Sequence, residues 1–220
     1  MKKYPVTSVA IVAAVLVSLP SNAATFTPSA DSRAETDANG PGPTAANTSD
    51  LAVGPVSAGR SFRTYLAYDL SSLTVADTAQ GVTLDLFNIG SESNTSSLPQ
   101  VYTLFQVASD WDGALQPGPS GTALATFNIT PSLGNDTSDI QFASAALTTA
   151  FNGAIGGNLY LGILSDQENA DARSFTWFGS SENAGLEPIL TSVVPEPTSA
   201  ALMLLGAGML LGAGRRFRRA

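Results

Sequence analysis

The sequence predicts an all-β protein: a single antiparallel β-sandwich of jelly-roll type, flanked by an N-terminal signal peptide and a C-terminal transmembrane helix. Three observations lead there. Apolar and polar residues alternate with a period of two in short runs, clusters of Gly, Pro, Asn and Ser separate those runs, and only one stretch has helical spacing. A parallel α/β sheet would need crossover helices of about ten residues or more between strands, and the chain does not offer them.

Thr25 to Ala30 and Leu51 to Val53 read as edge strands, and Asp37 to Ser49, rich in Gly, Pro, Asn and Thr, reads as a long surface loop between them. Phe62, Leu66, Tyr68 and Leu70 alternate with Arg63, Tyr65, Ala67 and Asp69, which predicts one buried and one wet face. Val82, Leu84 and Leu86 alternate in the same way with Thr83, Asp85 and Phe87. Val101 to Val107, Leu124 to Ile129, Leu159 to Leu164, Ser174 to Phe178 and Pro188 to Val193 complete a set of eight or nine strands. Leu147, Thr148, Ala150 and Phe151 fit one short helix, closed by Gly153 in a left-handed cap position.

Composition removes whole chemistries. Among 220 residues there is no Cys and no His, so disulfides, thiol nucleophiles, imidazole bases and His-ligated zinc are excluded. Lys2 and Lys3 are the only lysines, and without them carboxylates are the only titrating groups left for catalysis. The chain reads as a non-enzyme.

The ends read as addresses. Lys2 and Lys3, the apolar run Val9 to Leu19 and the small residues around Ala23 have the three-part build of a secretory signal over residues 1–23, with cleavage between Ala23 and Ala24. That run rises only about 16 Å as a helix, too short for a hydrocarbon core of roughly 30 Å. At the other end, residues 194–220 hold Val194-Pro195-Glu196-Pro197, an uncharged apolar stretch at 198–214, and Arg215, Arg216, Arg218 and Arg219. The stretch spans about 25 Å as a helix, the lower limit for crossing a bilayer, and the arginines would stay on the cytoplasmic side. Hydropathy alone gives a type I membrane anchor.

The Val-Pro-Glu-Pro motif, the Gly/Leu/Ala-rich span and the terminal Arg cluster resemble, in that order over residues 194 to 219, the PEP-CTERM sorting signal. The resemblance implies export in a Gram-negative bacterium, processing by signal peptidase and by an exosortase that cuts near Pro-Glu-Pro, transient membrane residence through the C-terminal helix, and delivery to the cell surface or extracellular matrix. Between the ends lies a body of residues 24–193. All 18 acids except Glu196 fall in it, so Arg33, Arg60, Arg63 and Arg173 face 17 carboxylates and leave about −13. Such a surface repels nucleic acid and anionic lipid.

Within the body, RSFRTYLAYDLSSL at Arg60 to Leu73 resembles the signature strand of DNRLRE-type β-sandwich domains. Ala30-Asp31, LAVG, VTLDLFN, YTLFQVASDW and SSENAGLEPILTSV match that pattern in order, with Ser181-Glu182-Asn183 departing from it in the closing hairpin. The resemblance implies a jelly roll and kinship with carbohydrate-binding modules.

Residue types single out the candidate sites. Tyr65, Phe87, Tyr102 and Phe178 are the aromatics whose parity leaves them open to stack on sugar rings, provided they share one face; Trp111 and Trp177 read as core. Asp166, Glu168 and Asp171, or Asp110 and Asp112, are the candidates for a structural calcium, against the alternative of solvated loop acids; no other cofactor is expected. Asp69 reads as a carboxylate bonded to a neighbouring turn. The function expected is an exosortase-sorted structural component of the surface or matrix. The alternatives are a module that retains extracellular polysaccharide, and a hydrolase acting through an acid pair.

Overall fold

A ten-residue strand, Arg60–Asp69, is the hub of the larger sheet. The computed structural model describes residues 21–37, 40–46, 50–57, 59–93, 99–107, 122–130, 139–168 and 170–195. Most of the expected signal peptide and the whole of 196–220 therefore lie outside the described residues. The strands are β1 (Ser21–Phe26), β2 (Ala30–Asp37), β3 (Gly40–Ala46), β4 (Asp50–Ser57), β5 (Arg60–Asp69), β6 (Gly81–Leu86) and β7 (Asn88–Ser93). They continue as β8 (Gln100–Gln106), β9 (Ala123–Ile129), β10 (Ile140–Ala143), β11 (Asn158–Ser165), β12 (Ser174–Gly179) and β13 (Ile189–Pro195), with α1 (Ala145–Gly153) between β10 and β11.

Every pairing is antiparallel. One sheet has the order β1-β13-β6-β10; the other runs β7-β12-β4-β5-β11-β8-β9, with the β2-β3 hairpin added through β2 to β5. β5 supports this because it is long: β2 pairs along one edge, while β11 and β4 divide the other between residues 64–69 and 60–62. Leu84, Leu86, Phe142 and Leu190 of the smaller sheet and Leu51, Leu66, Tyr68, Leu161 and Phe178 of the larger meet in one core, closed at one side by Leu147 and Phe151 of α1. The alternation Val82/Leu84/Leu86 is observed as an inward-facing row on β6.

Several expectations need correction. The segment read as a loop from Asp37 to Ser49 contains β3, which pairs with β2 despite its Gly and Pro content. β2, β7 and β10 were not expected; of Thr25 to Ala30, read as one edge strand, Thr25 and Phe26 end β1 and Ala30 opens β2, while β4, read as an edge, lies between β12 and β5. The outer face of β5 is not wet, since Tyr65 and Ala67 are buried with Ala34, Phe105 and Val107 in a second, smaller apolar layer. α1 begins at an N-cap the sequence reading did not name, with Ser144 accepting the Leu147 N–H at 2.9 Å. It ends through an Ala154 N–H to Phe151 carbonyl bond, and the left-handed glycine is Gly156 in the following turn, not Gly153.

Buried polar groups join the strands of the larger sheet. The Gln100 amide donates to the Ser174 carbonyl at 2.8 Å, and its oxygen accepts from Ser165 Oγ at 2.7 Å. Gly54 makes room for that crossing: a Cβ there would lie 2.5 Å from the Ser174 carbonyl oxygen and 2.9 Å from Gln100 Oε1, at φ +125°. We therefore predict that Gly54→Ala destabilises the protein by about 3 kcal/mol or more, because overpacking and left-handed strain add. Gly81→Ala, which meets nothing within 4 Å, should change stability by less than about 0.5 kcal/mol. Urea unfolding of the two variants checks this, and equal midpoints would count against it.

Candidate functional site

Half-exposed aromatic surface is concentrated where β2, β4, β5 and β12 meet. Arg33 on β2 places its guanidinium carbon 5.0 Å from the Phe62 ring centre and 4.9 Å from that of Trp177. Phe62 and Trp177 lie 5.8 Å apart, tilted by 42°, and Phe175 packs edge-on against both at 5.1 Å. Arg173 extends the group, 5.6 Å from the Phe175 ring centre, with its Nη2 2.7 Å from Glu92. Burial lowers the Arg33 pKa, opposed by the charges of Asp50 and Glu35. Each such contact stabilises by about 0.5–2 kcal/mol. Two tilted rings whose faces meet an arginine do not form a coplanar stacking platform.

The aromatics selected by parity lie elsewhere. Tyr102 is fully buried, its hydroxyl donating to the Val53 carbonyl at 2.8 Å and lying 3.0 Å from Thr176 Oγ1, and burial pushes its pKa far up. Phe178 is buried edge-on against Tyr102, and Tyr65 belongs to the outer apolar layer. None of these three rings can offer a face to a sugar; Phe87 is half-buried. Trp177, expected in the core, is half-exposed. Trp111 lies outside the described residues.

The acids of the turn after β11 serve as anchors. Arg63 grips Glu168 with two bonds, Nε to Oε1 at 2.6 Å and Nη2 to Oε2 at 2.7 Å, and this contact raises the Arg63 pKa. Ser61 Oγ adds a bond to the Glu168 carbonyl at 2.6 Å. Asp166 Oδ1 accepts the Val101 N–H at 2.8 Å. With Glu168 engaged at both oxygens and Asp171 exposed, the expected trio does not converge on a calcium position. Among the described residues no group of three or more His, Cys, Asp or Glu is arranged to hold a metal. Asp110 and Asp112 lie outside those residues. Asp69 bonds the next turn as expected, through Ser71 N–H to Oδ1 at 2.9 Å, which lowers its pKa.

One polar group escaped the sequence reading. Asp31 on β2 is wholly buried; its Oδ2 accepts the Ser181 N–H at 2.5 Å, while Oδ1 has no hydrogen-bond partner. A lone Asp at a strand start carries no periodic signal and reads as a turn residue. Desolvation raises its pKa above the ordinary 3.8, with Glu182 adding to the rise.

The last site is the end of the fold. β13 lies between β1 and β6, with Leu190 and Ser192 buried, and it runs to Pro195. Val194 and Pro195 of the expected sorting motif are thus strand residues, and Ala23 and Ala24 of the expected cleavage site lie opposite Val193 and Ser192 on β1. Glu196, Pro197, Arg215, Arg216, Arg218 and Arg219 lie outside the described residues, as does the apolar stretch 198–214. Among the described residues no helix is long and apolar enough to cross a membrane.

Residues 193–219 match the family described as the PEP-CTERM protein-sorting motif. The match begins within β13, one residue ahead of the expected motif. It implies an exported protein, processed by an exosortase in membrane-associated sorting and passed on to the surface. No curated protein matches the chain.

Asp31 generates a test. Its raised folded pKa means that its stabilising contribution is complete below the ordinary carboxylate range and is lost as pH rises through the folded value. We predict that Asp31→Asn gains on the wild type between pH 4 and pH 7, by about 1 kcal/mol or more. Denaturant midpoints of both proteins at the two pH values check it; parallel profiles would show that burial of the charge costs nothing.

Proposed function

We propose that the protein is a non-catalytic structural component of the cell surface or extracellular matrix of a Gram-negative bacterium, delivered there by exosortase sorting. The observation that carries this is the matched tail at 193–219, which starts on the last strand of the body. A body that ends in a strand with partners on both edges can lose the residues beyond Pro195 and remain closed. Non-catalysis is supported by a chain without His or Cys and a body without Lys.

A jelly-roll body belongs to the same reading. The orders β1-β13-β6-β10 and β5-β11-β8-β9 support it: each strand of the first set alternates along the chain with strands of the second, in the manner of two interleaved Greek keys. Kinship with DNRLRE-type domains rests on the motifs of β5 and its neighbours.

Mass spectrometry of the protein from exosortase-bearing cells tests the sorting. The expected species begins at Ala24 and lacks the residues beyond about Pro197. A chain ending at Ala220 and held in the membrane would replace sorting with a permanent anchor.

A second reading, retention of extracellular polysaccharide, is favoured by the half-exposed Phe62, Trp177 and Arg33 cluster. Half-exposed ring surface beside a guanidinium donor offers apolar contact and hydrogen bonds to a sugar. On this reading Trp177→Ala weakens retention on a glycan array by about tenfold or more with the fold intact. Unchanged or undetectable retention by the wild type and the variant leaves the structural role alone.

A further inference from the structure

We propose that the end of the fold from which the tail leaves is a lipid-contact surface: the turn at Val75 rests in the headgroup layer of an uncharged bilayer while the tail holds the body there. This rests on the sorting reading above, which sets the apolar stretch 198–214 across the membrane.

The geometry begins at the exit. β13 runs to Pro195, and the apolar stretch starts at residue 198. Three residue steps reach at most about 10 Å, and the polar layer on each side of a bilayer is roughly 6 Å deep. Pro195 is therefore held at the headgroups or a few ångströms above them, and whatever stands beside it meets lipid first. The neighbour is the chain that enters β6. β6 and β13 are antiparallel with Gly81 opposite Val193, and the Gln80 N–H donates to the Val193 carbonyl at 2.8 Å. The residues ahead of Gly81 thus lie past the end of β6 toward which β13 runs out. Asn152 of α1 fixes them there: its side chain accepts the Ala79 N–H at 2.8 Å and donates to the Ala79 carbonyl at 3.0 Å.

That segment suits an interface. It contains a short 3₁₀ turn, Val75–Asp77, closed by Thr78 Oγ1 donating to the Val75 carbonyl at 2.7 Å. Val75 is 89% exposed, the most exposed large apolar side chain among the described residues, and Val193 at the exit is 36% exposed. Between Ser71 and Gln80 the one charged residue is Asp77. Its Oδ2 is turned back onto Thr74, accepting the backbone N–H and the hydroxyl at 2.8 Å each. A single exposed Val binds lipid weakly, but a tether that presents it at the bilayer raises its effective concentration, so weak contact is enough. The body's excess of carboxylates sets the class of lipid: zwitterionic headgroups admit the turn, and anionic ones repel the body. Once the tail is cut the tether is gone and the contact lapses, which frees the body for the surface.

The test uses the full chain reconstituted in phosphatidylcholine vesicles. The sequence has no Cys, so Val75→Cys and Ala184→Cys each carry one fluorophore. Ala184 is exposed in the turn that enters β13 at its other end, about 20 Å back along the strand. Lipid contact predicts that a nitroxide on the headgroups quenches the label at 75 about twofold or more beyond the label at 184, and equal quenching overturns it. Replacing part of the phosphatidylcholine by phosphatidylglycerol should weaken the quenching at 75, and stronger quenching there overturns the assignment to uncharged lipid. Without any label, the amides of residues 71–80 should exchange about threefold or more slower in wild type on vesicles than in Val75→Asp, a change at an exposed position that leaves the fold intact. Equal exchange overturns the contact. A full chain that does not float with the vesicles speaks against the membrane-crossing tail itself, and the docking falls with it.

Discussion

Strand β13 has to be bonded on both edges, and most of what the molecule can do depends on that. Its Leu190 is fully buried, β1 covers one edge and β6 the other. The smaller sheet therefore cannot close until the chain has been made almost to its end, because β6 waits for a partner more than a hundred residues away. Such long-range pairing folds slowly, since loop entropy is lost before the contact repays it. A tail that holds the finished chain at the membrane while this happens suits that order of events. The match to the sorting motif begins on this last strand, at Val193.

The larger sheet has a different problem. Without a disulfide, its strands are held by burial and by buried polar bonds that run across them. Gln100 joins β8, β11 and β12 through Ser165 and Ser174, Tyr102 ties β8 to β4 and β12, and Arg63 with Ser61 fastens the turn after β11 onto β5. Each member of these groups is satisfied, which is the condition for a buried polar network to add order instead of weakening the core. Asp31 and Ser32 are exceptions, with buried oxygens lacking a partner. Asn88 Nδ2 on β7 is a third.

Sequence pattern conveyed those elements whose environment matches a simple rule. β6 has one face in the core and one toward water, so Val82, Leu84 and Leu86 announce it. α1 was legible from Leu147 to Phe151 because 3.6-residue spacing is local. β3 was not, since Gly40, Pro41, Gly42 and Pro43 read as turn residues and only pairing with β2 makes them a strand. Parity failed on the aromatics for a specific reason. It assumes that a strand's second face is wet, whereas Tyr65 has a second apolar layer over it, with Phe105 lying where a side chain at Gly162 would be. The strand at Gly54 bends through φ +125°, and beside it Phe175 and Trp177 turn to Arg33 and Phe62. The tail's motif, by contrast, was legible, because Val-Pro-Glu-Pro, an apolar run and an Arg cluster form a linear pattern that needs no pairing partner.

Charge decides what kind of surface the body can present. All four of its arginines are engaged: Arg33 with Phe62 and Trp177, Arg60 with Glu35, Arg63 with Glu168 and Arg173 with Glu92. Three acids are neutralised in return, against a total of 17 in the body, so the surplus of carboxylate is not offset by cations standing elsewhere on it. Long-range attraction to an acidic polymer is therefore unfavourable, and it becomes less so only as salt shortens the reach of the field to about 8 Å at physiological strength. A neutral glycan meets no such barrier. For the same reason two copies of the body repel, which keeps an exported, disulfide-free protein dispersed until it is placed. If this molecule holds a matrix together, the contact has to be short-ranged and to depend little on net charge.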